Sequence, residues 1–514
     1  MAWGWMICIP LFPWLGALWI GVGMLTGGRQ GEAGERGTAR IALGSVGLSL
    51  LGMALLDLHA AWHGVAGHVL LFPWLTSGPF VVNLSLLLDL PALVMGSLVA
   101  GSGFLTLGFA IDYLHREAGF HRFFAVLCLF VGGMEWIAMA GNPVLTFVGW
   151  EAAGISSYLL IAYACDRTTA TRNATRALVT NRFGDAGFLF AIAMAFLFVG
   201  NLEWPEIFAM NRQVSSLVVG VIVGGFLLAA LAKSAQIPFV AWIGRALEGP
   251  TPSSAVFYGA LMAHAGAFLV IRLEPLLWRS PFWMVVLLLI GFSTAVYAVA
   301  VGRVQSDVKS ALIFSTQAQL GLIFAECGAG QFRFALWHLV AHAVWRLYQF
   351  LLSPSYLHLA GGRARPVPGW LRGSRSLYGL ALHRFWFDPL SDALVTRPTQ
   401  ALAEEVHVFD EMVISRMAGR PLQETLLATR GEWGDKTTET FAGVTQGRGM
   451  LGRVLERSAK VFFWFEERLV LNSSGDGLLR ALIFLGGYVT RIEQLLSQPR
   501  YLILLIVLTF VVIL

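Results

Sequence analysis

Apolar residues in this chain come in long unbroken runs, without the short-period alternation of half-buried helices and strands. Runs long enough to cross a bilayer fall at 2–25, 41–62, 90–112, 120–141, 142–164, 179–200, 216–236, 251–275, 281–302, 307–328, 332–353 and 499–514. They predict an all-α, polytopic transmembrane bundle of about twelve helices. The pair over 120–164 is separated only by the turn signal Asn142-Pro143. The first run is too long for a signal peptide and lacks its basic start, so it reads as the first span. Between 354 and 498 the pattern changes. Apolar positions from Leu377 to Met417 are interleaved with His383, Arg384, Asp388, Asp392, Glu404, Glu405 and Asp410, which reads as amphipathic helix with a kink at Pro398. Residues 421–448 read as a polar loop, and 449–497 as amphipathic again. Three regions follow: a bundle over 1–353, surface helices and a loop over 354–498, and a last span over 499–514.

Composition strengthens this picture. Of 514 residues, 56% are hydrophobic and 13% charged, about half the charged share of a soluble domain. A water-soluble chain of this size has no way to hide so much apolar surface, whereas lipid can cover it. The 18 Trp suit membrane interfaces and the 56 Gly suit close helix packing. The net charge of +5 sits in short loops between runs, which argues for topology and against nucleic-acid binding. Arg29, Arg36 and Arg40 follow the first run, Arg167, Arg172, Arg176 and Arg182 follow the fifth, and Arg363, Arg365, Arg372 and Arg375 follow the eleventh. The positive-inside rule then puts odd-numbered loops and the amphipathic segment on the cytoplasmic side of an inner membrane, with the N-terminus outside. Arg272 and Arg279, after the eighth run, go against this rule. Cys8, Cys128, Cys165 and Cys327 form no CxxC pair and read as four reduced thiols.

The candidate chemistry lies in charges that the runs should not contain. Each costs about 2.5–3.5 kcal/mol at mid-bilayer on insertion scales, so a tolerated one is paired or used. Glu151 lies in the fifth run and Asp185 near the start of the sixth. Lys233 lies in the seventh, just before Pro238, which should break that helix. His264 lies in the eighth run. His338, His342 and Arg346 share one face of the eleventh by their i, i+4, i+8 spacing. In general, a carboxylate near a lysine favours the charged amine while desolvation favours the neutral one, so such a pair can drive a proton on or off. Imidazoles can relay it. Bland readings stand beside these: a structural ion pair for Glu151 and Lys233, a packed His264, an Asp185–Arg182 surface pair, a snorkelling Lys309, and an interfacial Glu326. No Rossmann fingerprint, P-loop or iron–sulfur spacing is present, so no catalytic residue or cofactor is assigned to this chain.

Five stretches carry a resemblance: Gly149-Trp150-Glu151; Asn181 to Asp185; Lys233-Ser234-Ala235-Gln236-Ile237-Pro238-Phe239; Glu248 to Ala255; and Asp307 to Thr316. Over roughly 70–350 the chain resembles the proton-translocating NuoL and Mrp-antiporter subunits. The resemblance implies that Glu151 and Lys233 form the core proton-transfer pair, with Asp185 beside them. The chain departs from the respiratory pattern at Tyr258, where a histidine is usual, at Arg245 for an aspartate, and at Arg346 for a lysine. The helices that follow the eleventh in NuoL are also missing. With Phe257 to Ala260 before His264-Ala265-Gly266, and His342 to Arg346 before Leu352 to Ser355, the chain is similar to the DabB branch. That branch implies inorganic-carbon uptake with a DabA-like cytoplasmic partner, a zinc protein with a carbonic-anhydrase-like site, docked on 354–498. The rival expectations are a proton-pumping subunit of an NADH dehydrogenase-like enzyme and, more weakly, a sodium/proton antiporter component. Protons or sodium and membrane lipid are the other expected partners.

Overall fold

The computed structural model describes residues 4–29, 31–210, 214–359 and 367–409. Eleven long helices account for the first eleven apolar runs: α1 (Cys8–Leu25), α2 (Gly31–His63), α3 (Leu90–Tyr113), α4 (Phe120–Met139), α5 (Pro143–Ile161), α6 (Thr168–Val199), α7 (Ser216–Lys233), α8 (Thr251–Arg272), α9 (Pro281–Gly302), α10 (Val308–Gly328) and α11 (Phe332–Leu359). The first ten are long and apolar enough to cross a membrane. The run at 499–514 and the amphipathic stretch beyond 409 lie outside the described residues.

Local chemistry sets the helix starts. Asp89 caps α3 by accepting from the Ala92 amide, and Asn142 caps α5 by accepting from the Leu145 amide. Each is followed by a proline in the first turn, where a missing N–H costs nothing. Small residues then let helices touch backbone to backbone. A Cβ on Gly149 would lie 2.4 Å from the Gly133 carbonyl oxygen, which locks α5 onto α4. A Cβ on Gly225 would lie 2.7 Å from that of Gly187, which locks α7 onto α6.

Two helices start earlier than the hydropathy pattern predicts. The stretch α6 begins at Thr168, so Asp185 stands in mid-helix instead of near its start. The polar first turns belong to the helix because their charges find partners. Arg176, for one, donates to both Asp392 oxygens, at 2.8 and 2.5 Å. The expected break after the seventh run is present: α7 ends at Lys233, and the chain runs on without regular helix past Pro238. Its last carbonyls are satisfied within the bundle. Ala230 accepts from the Ser234 amide, Leu231 from the Gln236 amide, and Ala232 from the Trp242 indole at 2.9 Å. Helix α8 carries a π turn at Ala255–Ala260.

Between α2 and α3 lies a β-hairpin that the hydropathy reading leaves out, β1 (Gly67–Ser77) with β2 (Phe80–Leu88). It turns at Gly78, where φ is +56°. Glu203, past the end of α6, fastens the hairpin. Its carboxylate accepts from Ser85 at 2.5 Å and from Asn83 at 3.1 Å, and lies 2.9 Å from His68 and 3.5 Å from Asn142.

The chain divides into units at Asp392. In the first, α12 (Arg375–Leu382) and α13 (Phe387–Ser391) follow α11. Asp388 accepts from Arg245 at 2.8 Å and from Arg384 at 3.3 Å, so the arginine found in place of an aspartate pins α13. In the second unit the described helix is α14 (Arg397–Phe409), with Pro398 in its first turn instead of at a mid-helix kink.

Candidate functional site

Two clusters of ionisable side chains occupy the centre of the bundle. The first joins α5, α6 and α7. Lys233 is 1% exposed, at the C-terminal end of α7, where the helix dipole favours a cation. Its Nζ donates to the Trp150 carbonyl at 3.0 Å and stands 4.8 Å from the centre of the Trp150 ring. A Cβ on Gly154 would lie 3.3 Å from that nitrogen, so the glycine leaves room for it. Trp150 in turn donates its indole N–H to Asp185 at 2.8 Å. The Glu151 carboxylate forms an ion pair with Arg182, which also stands 3.8 Å from Asp185. Glu151 and Asp185 are both buried, and one Glu151 oxygen has no protein partner.

Glu151, Asp185 and Lys233 therefore come together, but the direct ion pair of Glu151 is with Arg182. Lys233 has no carboxylate at ion-pair distance among the described residues. Two members of this cluster go beyond the sequence reading. Arg182 counts there as a loop charge, yet it neutralises the buried glutamate. Trp150 bridges the lysine and the aspartate through its carbonyl, ring face and indole N–H.

The second cluster joins α8, α10 and α11. His264 Nε2 lies 2.9 Å from His342 Nδ1, and Arg346 donates through Nε to His342 Nε2 at 3.4 Å. An arginine only donates, so His342 Nε2 is the acceptor and, in neutral imidazole, Nδ1 carries the hydrogen. The chain of donation runs Arg346 to His342 to His264, leaving His264 Nδ1 as an N–H that has no protein partner. Arg346 also donates to Ser315 and to Gln349, each at 2.8 Å. His338, one turn before His342, lies 2.8 Å from Glu326 and 2.9 Å from Gln319. Glu326, read as interfacial, is thus the carboxylate of the histidine face. Lys309, read as snorkelling, donates to Thr251 at 2.7 Å.

Ser234 connects the clusters. It follows Lys233 in sequence, and its hydroxyl donates at 2.7 Å to the carbonyl of Ala263, the residue before His264. Alongside, Gln317 donates to the Ala235 carbonyl at 2.7 Å. The Gln236 and Gln317 side-chain oxygens and the Thr316 hydroxyl are buried here without protein partners.

This geometry has known counterparts. Residues 140–363 match the transmembrane family described as NADH:quinone oxidoreductase/Mrp antiporter, and residues 74–124 match the N-terminal region of complex I chain 5. NADH-quinone oxidoreductase subunit L of Mycobacterium tuberculosis is 35% identical over 293 residues, covering 57% of this chain and 46% of that protein. The chloroplastic NAD(P)H-quinone oxidoreductase subunit 5 of Piper cenocladum is 31% identical over 424 residues, covering 77% and 57%. The chain spans about half the length of these relatives. Among solved structures, the Mrp complex from Dietzia sp. superposes with a TM-score of 0.61 at 22% identity, over 99% of this chain and 62% of that one. Respiratory complex I from Thermus thermophilus gives 0.57 at 19%, over 74% and 77%. Those two likenesses concern the fold.

A helical membrane bundle with a broken seventh helix and buried charges along its axis defines the class: a multi-pass, antiporter-like membrane subunit. Within that class, residues 140–363 match the transmembrane region of the NADH:quinone oxidoreductase/Mrp antiporter family, and the chain is complex I chain 5-like.

Proposed function

We propose that this chain translocates protons as one subunit of a membrane complex of the NADH dehydrogenase type. One observation carries the reading: Glu151, Arg182, Asp185 and Lys233 are gathered inside the bilayer-spanning region and linked through Ser234 to a histidine chain. A structural ion pair would need only two of these groups. An array in which one lysine is held by a carbonyl and a ring, with carboxylates nearby, can change its charge when a neighbour moves. The imidazoles continue the path, and buried polar atoms lacking protein partners are where ordered water completes such a route. With odd-numbered loops facing the cytoplasm, protons pass from outside by Glu151 and Lys233 to the histidine face of α11.

The NADH dehydrogenase setting is favoured by the named relatives, which are subunits of such enzymes. The inorganic-carbon reading, with a DabA-like zinc partner, rests on Arg346 and on the departure of the chain from the NuoL pattern after α11. It is the second choice. Mild-detergent purification of the tagged chain from its own membranes, followed by mass spectrometry, separates them. Redox subunits with flavin and iron–sulfur centres are the expected companions. A single large zinc protein in their place would overturn the NADH dehydrogenase reading.

A further inference from the structure

Another buried carboxyl lies away from both clusters. Glu135 stands in α4 within the run Gly133-Met134-Glu135-Trp136 and is 0% exposed. One oxygen accepts the Ser49 hydroxyl from α2, and the other has no protein partner. The same two helices meet in a polar seam of regular spacing. Thr38 Oγ1 lies 2.7 Å from His121 Nδ1, Ser45 Oγ lies 3.9 Å from Cys128 Sγ, and Ser49 reaches Glu135. On α4 these positions are seven residues apart, so they share one face of two parallel helices. At the other end of the seam His121 Nε2 stands 3.2 Å from the Gly31 carbonyl oxygen, and the buried Glu35 lies 2.7 Å from His115, whose side chain is half exposed.

The charged and titratable groups around it are otherwise engaged. Arg272 of α8 donates to the Ala138 carbonyl at 2.8 Å but is paired with Asp89. Asp57 on α2 accepts from Ser97 of α3 at 2.6 Å. Glu151 of α5 and His264 of α8 belong to the central clusters, and Cys128 and Cys8 are thiols. Glu135 thus has no cation at ion-pair distance among the described residues. A bare carboxylate is costly at such a site, and one carboxyl with one hydroxyl falls short of the oxygen shell of a metal cation. A protonated acid fits both.

We propose that Glu135 is a second proton-exchanging site, reached through the α2–α4 seam from the His121 end. The proton leaves the Glu135 oxygen that has no protein partner and passes to a water in the seam, which carries it away as hydronium; the carboxylate left behind keeps the Ser49 hydroxyl as its donor, and the reverse transfer restores the acid. No other reactant is needed.

Infrared absorption of the purified full chain in lipid nanodiscs, moved from H2O to D2O, tests this. The expected result is a carboxylic-acid C=O band that shifts down in D2O in the wild type and is lost in Glu135→Gln. Ser49→Ala keeps the carboxyl, so the band should survive at higher frequency once its hydrogen bond is gone. This second variant serves if Glu135→Gln does not fold. His121→Ala should slow the D2O shift. A wild type without such a band, a band unmoved by D2O, or a spectrum unchanged in Ser49→Ala would overturn the proposal. Lys233→Ala should leave the band in place, so this inference and the central proton path stand or fall separately.

Discussion

The two central clusters solve the problem of buried charge in opposite ways. Around Lys233 there are two carboxylates and two cations, and neutrality comes from proximity: Arg182 takes Glu151, while Trp150 holds both Lys233 and Asp185. The second cluster holds the imidazoles of His264, His338 and His342 and the guanidinium of Arg346, and Glu326 sits at the far end beside His338. The first cluster is built from carboxyl, amine and guanidinium groups, whose charged forms answer to each other by Coulomb's law. The second is built from groups that pass hydrogens along bonds, with a fixed cation at one end. On the proposed path, a proton from the first cluster would meet a hydrogen-bonded relay that passes it on instead of storing it.

The comparison breaks most sharply at Lys233. Lys233→Ala removes the switchable cation and should lower proton flux by about a hundredfold or more while the complex still assembles. Pyranine fluorescence in proteoliposomes, with assembly checked by native electrophoresis, reads both. Flux at the wild-type rate would end the assignment of the lysine. Next comes Arg182→Ala, which leaves Glu151 buried and unpaired and should cost about 1–3 kcal/mol of stability. Thermal unfolding in detergent measures it, and Arg182→Lys should recover part. An unshifted midpoint would mean the pair is worth nothing.

In the relay, His264→Ala and His342→Ala share one hydrogen bond. Their effects on flux should therefore be non-additive, with a coupling of about 0.5–3 kcal/mol in a double-mutant cycle. Strict additivity would separate the two histidines. The smallest effect is expected for Gly154→Ala. Its new methyl would meet Nζ at 3.3 Å, so a flexible side chain has to give slightly, at under about 1.5 kcal/mol. A complete loss of flux there would show that the lysine needs the space over Gly154 to move.

Much of this was legible from hydropathy alone. Glu151 and Lys233 stand out because charge is rare inside apolar runs, and Pro238 marks the break because it cannot donate in a helix. What escaped needed the third dimension. Arg182 reads as a charge at the loop edge while α6 is taken to start at 179, which puts it in the first turn. The helix begins at Thr168 because its early arginines find partners such as Asp392, 216 residues away. Glu326 reads as interfacial until α10 and α11 pack and place it on His338. The hairpin at 67–88 was missed because its Val, Leu, Phe and Trp alternate poorly with polar residues. Glu135 was different: a charge in the middle of the fourth run was a signal in plain sight, and counting spans passed over it.

The clasp at Glu203 has a consequence for the order in which the molecule is made. Ser85, which it holds, lies 118 residues earlier in the chain. As domains take shape from the N-terminus during synthesis, α1 to α5 and both hairpin strands precede the acid that fastens them. The strand ladder of the hairpin is complete without Glu203, but its side-chain anchor is not, because His68, Asn83 and Ser85 all meet an acid made after α6. The hairpin is thus local in its backbone and long-range in its fastening.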